Sequence, residues 1–230
     1  MTFCVEFCLF QDKAPCVERC IHPNQRNRRF YMDIDVKGAK DALRQEMMTR
    51  RASISPEEAT QAGLAICDQL AQLSYPREVV CSLYWSIKRE IDAQPMLSFF
   101  AQRGATLCLP VTVSGTAPLL FRRWAPGDPL VKGGFGTRIP EASAPEMIPN
   151  VMIVPLLAFT RRGGRLGYGK GHFDRTIQGL RARGDVLVVG VAYAFQEVEV
   201  LPLEQTDEPL DWILTPQNMF NCRGEEEGGM

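Results

Sequence analysis

Residues 163–174 read Gly-Gly-Arg-Leu-Gly-Tyr-Gly-Lys-Gly-His-Phe-Asp, placing five glycines, two cations and a carboxylate in twelve positions. Before this segment runs Val151-Met152-Ile153-Val154-Pro155-Leu156-Leu157-Ala158-Phe159, a continuous apolar stretch that predicts one buried strand. After it, Phe173, Ile177 and Leu180 recur at helical spacing until Gly184. Strand, glycine loop and helix in succession turn backbone N–H groups toward an anion, and the helix N-terminus adds positive potential. Glycine suits such a loop because a Cβ would keep a phosphate away from the backbone.

The segment comes close to a P-loop and departs from it at one informative place. Gly164 to Lys170 fits G-x-x-x-x-G-K, but Gly171 stands where that loop carries the Ser or Thr whose hydroxyl binds magnesium. A metal ligand would have to come from elsewhere, and Asp174 is the nearest carboxylate. The spacing of Gly167, Gly169 and Gly171 also misses the dinucleotide-binding fingerprint.

The rest of the chain alternates strand and helix. Lys40 onward is helical, with Ala42, Leu43, Met47 and Met48 on one side and Lys40, Arg44 and Arg51 on others; composition alone makes the Lys40/Arg44 pair a solvated edge. Ser55-Pro56-Glu57-Glu58 is a capping box that opens a second helix to about Leu73. Val79–Trp85 reads as a buried strand, Pro95–Arg103 as a helix and 105–109 as the next strand, a βαβ unit that implies parallel pairing. Residues 110–150 read as an irregular insertion over the sheet edge, with one strand at 119–124. Strands follow at 185–192 and 210–214. The fold expected is one α/β domain, an open and mainly parallel sheet flanked by helices, with ligands at the strands' carboxyl ends. Glu90 and the glycine segment both fall at such ends.

A formal net charge of −1 gives no electrostatic case for nucleic acid or an anionic membrane. No apolar run reaches the length of a membrane span, and residues 1–38 do not read as a signal peptide, so a cytoplasmic monomer acting on small molecules is expected. Cys4, Cys8, Cys16 and Cys20, with His22, could bind zinc, but their spacing departs from compact zinc ribbons; an incidental leader over 1–38 is favoured. The folded domain is placed at 39–218, and 219–230 is read as an acidic tail.

These motifs together resemble the 5-formyltetrahydrofolate cyclo-ligase family. That family carries K-x-x-L-R near its start, a Glu-Ile-Asp/Glu loop after a strand, R-L-G-x-G-x-G-x-Y-D after a V-P-x-x-F strand, and a closing P-x-x-x-x-D loop. The counterparts are Lys40 to Arg44, Glu90-Ile91-Asp92, Arg165 to Asp174 and Pro202 to Asp207, in matching order over about 40–216. Two departures stand out: His172-Phe173 replaces Tyr-Tyr, and Ile139-Pro140-Glu141-Ala142 reorders an I-x-E-P segment.

The resemblance implies a Rossmann-like, CoA-transferase-like architecture and ATP-dependent closure of 5-formyltetrahydrofolate to 5,10-methenyltetrahydrofolate, with magnesium. It assigns ATP contacts to Lys40, Arg44 and the run Arg165, Leu166, Gly167, Tyr168, Gly169, Lys170, Gly171, His172 and Phe173. Arg165 and Lys170 are the catalytic cations, and Asp174 and Asp207 the magnesium ligands. Trp85, Glu90 and His172 line the folate site. From the residues alone, a phosphate-sensing α/β module without catalysis and a phosphosugar isomerase or transferase remain open.

Because residues 1–38 lack a periodic apolar pattern, a truncated chain beginning at Met32 is expected to melt and turn over like the full chain. A large fall in melting temperature, or stoichiometric zinc in the full chain, would show the cysteine-rich segment to be a folded module.

Overall fold

The computed structural model describes residues 35–224. The zinc question and the acidic run 225–230 lie outside these residues. Two helices open the domain, α1 (Val36–Ala52) and α2 (Pro56–Leu70). Strand β1 (Val80–Ser82), helix α3 (Gln94–Gln102) and strand β2 (Thr106–Val111) form the first parallel crossover. Then come β3 (Leu120–Arg123), a hairpin of β4 (Leu130–Lys132) and β5 (Arg138–Pro140), and β6 (Val151–Pro155). A two-stranded hairpin of β7 (Ala158–Phe159) and β8 (Arg165–Leu166) precedes α4 (His172–Arg181). The chain closes through β9 (Leu187–Val191), β10 (Trp212–Leu214) and β11 (Met219–Asn221).

The main sheet has the order β11-β10-β9-β6-β1-β2-β3, with a parallel centre and an antiparallel strand at each edge. β1 pairs with β2 on one side and with β6 on the other, so the winding direction reverses there. A crevice opens at such a reversal, beyond the carboxyl ends of the strands. The central strands are apolar on both faces, as helix-covered parallel strands require: Val151, Met152, Ile153 and Val154 are all buried.

Three expectations change. The apolar run 151–159 does not make one strand: β6 ends at Pro155, and Ala158–Phe159 leaves the main sheet to pair with Arg165–Leu166. The glycine segment therefore begins inside a hairpin, not directly after a sheet strand. Helix α1 is already running at Val36, since Lys40, buried against the 204–207 loop, must be carried in a formed turn. Residues 219–221, read as tail, form an edge strand. Its Phe220 packs 5.8 Å from Phe159, and Arg223 Nε donates to Asp211 at 2.8 Å. Among the described residues no helix is long and apolar enough to cross a membrane.

Helix α2 begins as the capping box predicts. Ser55 accepts from the Glu58 N–H at 3.1 Å, and Glu58 accepts from the Ser55 N–H at 2.7 Å. Its Gly63 lies against the loop that carries Glu90: a Cβ there would sit 2.3 Å from the Asp92 carbonyl oxygen. Alanine would favour the helix by about 1 kcal/mol, but the obstacle is backbone, and overpacking costs roughly 1–3 kcal/mol. Gly63→Ala is therefore expected to lower the melting temperature; an unchanged or higher value would mean the loop yields freely.

Candidate active site

The crevice at the reversal is a cavity of about 770 Å³, within the range of small-molecule sites. It is lined by Trp85 and Glu90 from the segment after β1, by residues 165–175, and by Lys40 and Arg44 of α1.

The glycine segment is shaped by its ends. Arg165, in β8, is buried and pairs with Asp174 Oδ1 at 2.5 Å in the first turn of α4. Residues 167–171 arch between these partners. Gly169 has φ 90, and a Cβ on it would meet the Arg44 guanidinium at 3.0 Å. Gly171 has φ 64 and caps α4 with no side-chain hydrogen bond, which leaves the helix's first N–H groups for an anion. Arg165 Nη1 is buried and has no hydrogen-bond partner. Arg165 lines the cavity, and an orphan buried guanidinium nitrogen is a donor that a phosphate or carboxylate oxygen could satisfy. Burial pulls this guanidinium below its ordinary pKa, while Asp174 and Asp207 oppose that shift.

The two α1 cations are not a solvated edge. Lys40 is buried, on the same stripe as Met47 and Arg51, and its Nζ donates at 2.7 Å to both Glu204 and Asp207. Burial alone would lower its pKa, but those two carboxylates carry it above the ordinary value. Arg44 Nε donates to the Gly167 carbonyl at 2.9 Å, and Nη1 pairs with Asp41 at 2.5 Å. Arg44 therefore supports the arch from beneath. Lys170 is exposed, with Nζ 5.5 Å from the Phe135 ring centre. Leu166 turns into a small core with Met47, Leu157, Ala158 and Leu201, so only its backbone position serves the loop. Phe173 lies under the Arg165 guanidinium, 5.8 Å from ring centre to Cζ.

In the segment after β1, Trp85 is half-buried and meets Trp124 edge to face at 6.5 Å. Glu90 is buried; its Oε2 accepts from the Ile87 N–H at 2.9 Å and its Oε1 from the Tyr168 hydroxyl at 3.0 Å. Burial raises this carboxyl above its ordinary range, and the Ile87 N–H and Arg51 pull against that rise. His172 Nδ1 lies 2.9 Å from the Ala117 carbonyl, so with that nitrogen protonated the ring is anchored to the 112–119 segment.

Sequence reasoning missed Glu204, Arg51 and Phe135. Arg51 had a signal: Lys40, Met47 and Arg51 share one helical stripe. Glu204 and Phe135 sit in loops whose fold the sequence does not specify.

Asp174 and Asp207 both act on Arg165, and each leaves one oxygen, Asp174 Oδ2 and Asp207 Oδ1, that no donor among the described residues reaches. Among the described residues no cluster of three or more His, Cys, Asp or Glu could hold a metal by itself. Two free carboxylate oxygens nevertheless suit magnesium, which is commonly held by one or two carboxylates while phosphates and water complete its shell.

The model of the 5-formyltetrahydrofolate cyclo-ligase family matches residues 36–216. A 5-formyltetrahydrofolate cyclo-ligase of Haemophilus influenzae is 31% identical over 181 residues, covering 76% of this chain and 96% of that protein. One of Escherichia coli K12 is 31% identical over 179 residues, covering 74% and 97%. The NMR structure of a 5,10-methenyltetrahydrofolate synthetase from Aquifex aeolicus matches with a TM-score of 0.69 at 31% identity, over 83% of this chain and 96% of that one.

The ion pairs separate the two aspartates energetically. Asp174→Asn removes the charge that answers the buried Arg165 and is expected to destabilise the protein by roughly 3 kcal/mol. Asp207→Asn leaves Lys40 its Glu204 partner and is expected to cost no more than about 1 kcal/mol. Denaturant unfolding of both variants checks this; equal losses would contradict the ranking.

Proposed function

This chain belongs to the 5-formyltetrahydrofolate cyclo-ligase family, and we propose that it closes 5-formyltetrahydrofolate to 5,10-methenyltetrahydrofolate using ATP, with release of ADP and phosphate. The observation that carries the reading is the orphaned Arg165 Nη1 beside an uncapped helix N-terminus, in the same cavity as a buried carboxylate and an indole ring. One end suits a polyphosphate and the other a flat heterocycle rich in N–H donors.

The chemistry asks for alignment and charge neutralisation more than for a covalent nucleophile. The formyl oxygen attacks the γ-phosphorus and the bond to the departing ADP oxygen breaks. N10 of the folate then attacks the activated formyl carbon, the carbon–oxygen bond breaks, phosphate leaves and the N10 proton is lost to solvent. Arg165 Nη1, Lys170 and the first N–H groups of α4 would hold phosphate oxygens, with Lys170 able to follow the transferred group because no ion pair among the described residues holds it. Arg44 supports the loop through Gly167, and Lys40 holds Asp207 in place. Magnesium, held by the free oxygens of Asp174 and Asp207, would supply further charge neutralisation on the phosphates. Glu90 would accept N–H donors of the pterin, whose flat ring Trp85 would flank. His172, tied to Ala117, would border the folate from the helix side.

Purified protein with ATP, magnesium and 5-formyltetrahydrofolate is expected to accumulate the methenyl chromophore and to release phosphate in equal amount. No product, or product formed without ATP, sinks the reading. Lys170→Ala should lower kcat/KM by about 100-fold, some 2.7 kcal/mol of transition-state stabilisation, with melting unchanged. Normal turnover in that variant would remove Lys170 from the mechanism.

A further inference from the structure

Three segments meet at Glu90, and two of the side chains that do so have no role in the reaction as described. Arg51, from the last turn of α1, is 1% exposed. Its Nε donates to the Lys88 carbonyl at 3.0 Å, its Nη2 donates to the Tyr168 hydroxyl, and its Nη1 lies 3.9 Å from Glu90 Oε1. Tyr168, within the glycine arch, donates its own hydroxyl hydrogen bond to Glu90 Oε1 at 3.0 Å. The loop that carries Glu90 is strained: Lys88 (φ 47) and Arg89 (φ 61) are consecutive non-glycine residues in the left-handed region. Such backbone persists where its surroundings over-determine it, which is frequent at ligand sites. Here Arg51 holds the Lys88 carbonyl, and the Tyr193 hydroxyl donates to the Arg89 carbonyl at 3.2 Å.

We propose that Arg51 and Tyr168 are positioning residues for Glu90, fixing its carboxylate as an anion at the pterin end and in register with the glycine arch. The proposal rests on the reading of Glu90 as the pterin contact. A carboxylate accepts from two N–H groups only when ionised, and burial works against that state. The groups around Glu90 are Arg51 from α1, Tyr168 from the arch, Lys88 from its own loop, Tyr84 after β1 and Tyr193 after β9. Asp92, on the same loop, acts on both Tyr84 and Tyr193. Tyr168 and Tyr193 are pushed up to about 12 by burial, and Tyr84 is raised well above its ordinary value, so all three stay neutral donors. Arg51 is then the buried cation facing Glu90; Lys88 is exposed, with Nζ 5.4 Å from the Tyr168 ring centre.

The sign follows. Removing Arg51's charge or Tyr168's hydroxyl raises the pKa of Glu90, so the anion is lost at a higher pH. The test is a carbon-13 NMR titration of the Glu90 carboxyl in the ligand-free protein, its resonance identified by Glu90→Gln, in wild type, Arg51→Met, Arg51→Lys and Tyr168→Phe. It runs in parallel with the pH profile of kcat/KM for 5-formyltetrahydrofolate at saturating ATP. Tyr168→Phe, which deletes one hydroxyl from a half-exposed side chain, keeps the test decisive should Arg51→Met not fold. The midpoint and the acid limb are both expected to move upward, least for Tyr168→Phe. For Arg51→Met the shift should reach about one pH unit, a tenfold loss below the limb. Arg51→Lys should return the limb toward wild type. A purely structural role would lower activity equally at every pH and move neither. Unmoved midpoints overturn the positioning role, and moved midpoints with an unmoved limb overturn the link to substrate. Midpoints that move while no protein turns over folate overturn the functional reading and leave the positioning standing.

Discussion

Arg165 carries a guanidinium where water does not reach, and a charge so placed must be answered by an opposite charge or it opposes folding. Asp174 answers it from the first turn of α4, so the ion pair spans the two ends of the glycine arch and closes it. The arch backbone, with left-handed Gly169 and Gly171, is held between these fixed ends. Because the pair is incomplete on the Arg165 side, where Nη1 has no partner, the same contact that shapes the loop leaves a donor for a ligand. Structure and recognition thus rest on one side chain.

Helix α1 extends this logic around the cavity. Lys40 reaches the 204–207 loop, Arg44 the glycine arch and Arg51 the loop after β1, three segments far apart in sequence. Met47 sits among these cations and anchors the helix in the small core with Leu166. An isolated helix so rich in charge would gain little from its own apolar face; it is held by the polar contacts it makes to the site. Disturbing α1 is therefore expected to act on ligand geometry as well as on stability.

What the sequence disclosed follows from which interactions are local. The capping box at Ser55 and the amphipathic α4 are set by neighbours in the chain and appear where periodicity and caps put them, and the apolar run from Val151 starts a central strand as read, though it ends at Pro155. The glycine segment was recognisable as a site because few ordinary turns need five glycines with cations among them. Its shape was not, because whether Ala158–Phe159 continues the main sheet or folds back onto Arg165–Leu166 depends on pairing that no local pattern specifies. The same holds for Lys40. On a helix wheel a lysine reads as solvated, and only the return of a loop some 164 residues later buries it. The strand at 219–221 escaped notice because three residues at an edge give too short an alternation to read.

The distribution of charge around the cavity gives these contacts a common direction. Its lining holds seven Lys and Arg side chains against four carboxylates, in a chain whose formal net charge is −1. The excess is local, and a concave, low-dielectric wall focuses it. Three of the four carboxylates, Asp174, Glu204 and Asp207, stand at the phosphate end, where they hold Arg165 and Lys40 in place. Among the described residues Lys170 has no ion pair, and Arg165 has a nitrogen to spare. Glu90, the fourth carboxylate, is joined to the arch through Tyr168, its charge opposed by burial and supported by Arg51. A site polarised in this way favours a ligand that is anionic at one end and rich in hydrogen-bond donors at the other. An isomerase of phosphosugars would instead want a carboxylate outside any ion pair beside the phosphate, and Asp174, Glu204 and Asp207 are each paired with a cation. The polyphosphate and pterin of the proposed reaction would together answer the cations and the buried carboxylate of this lining.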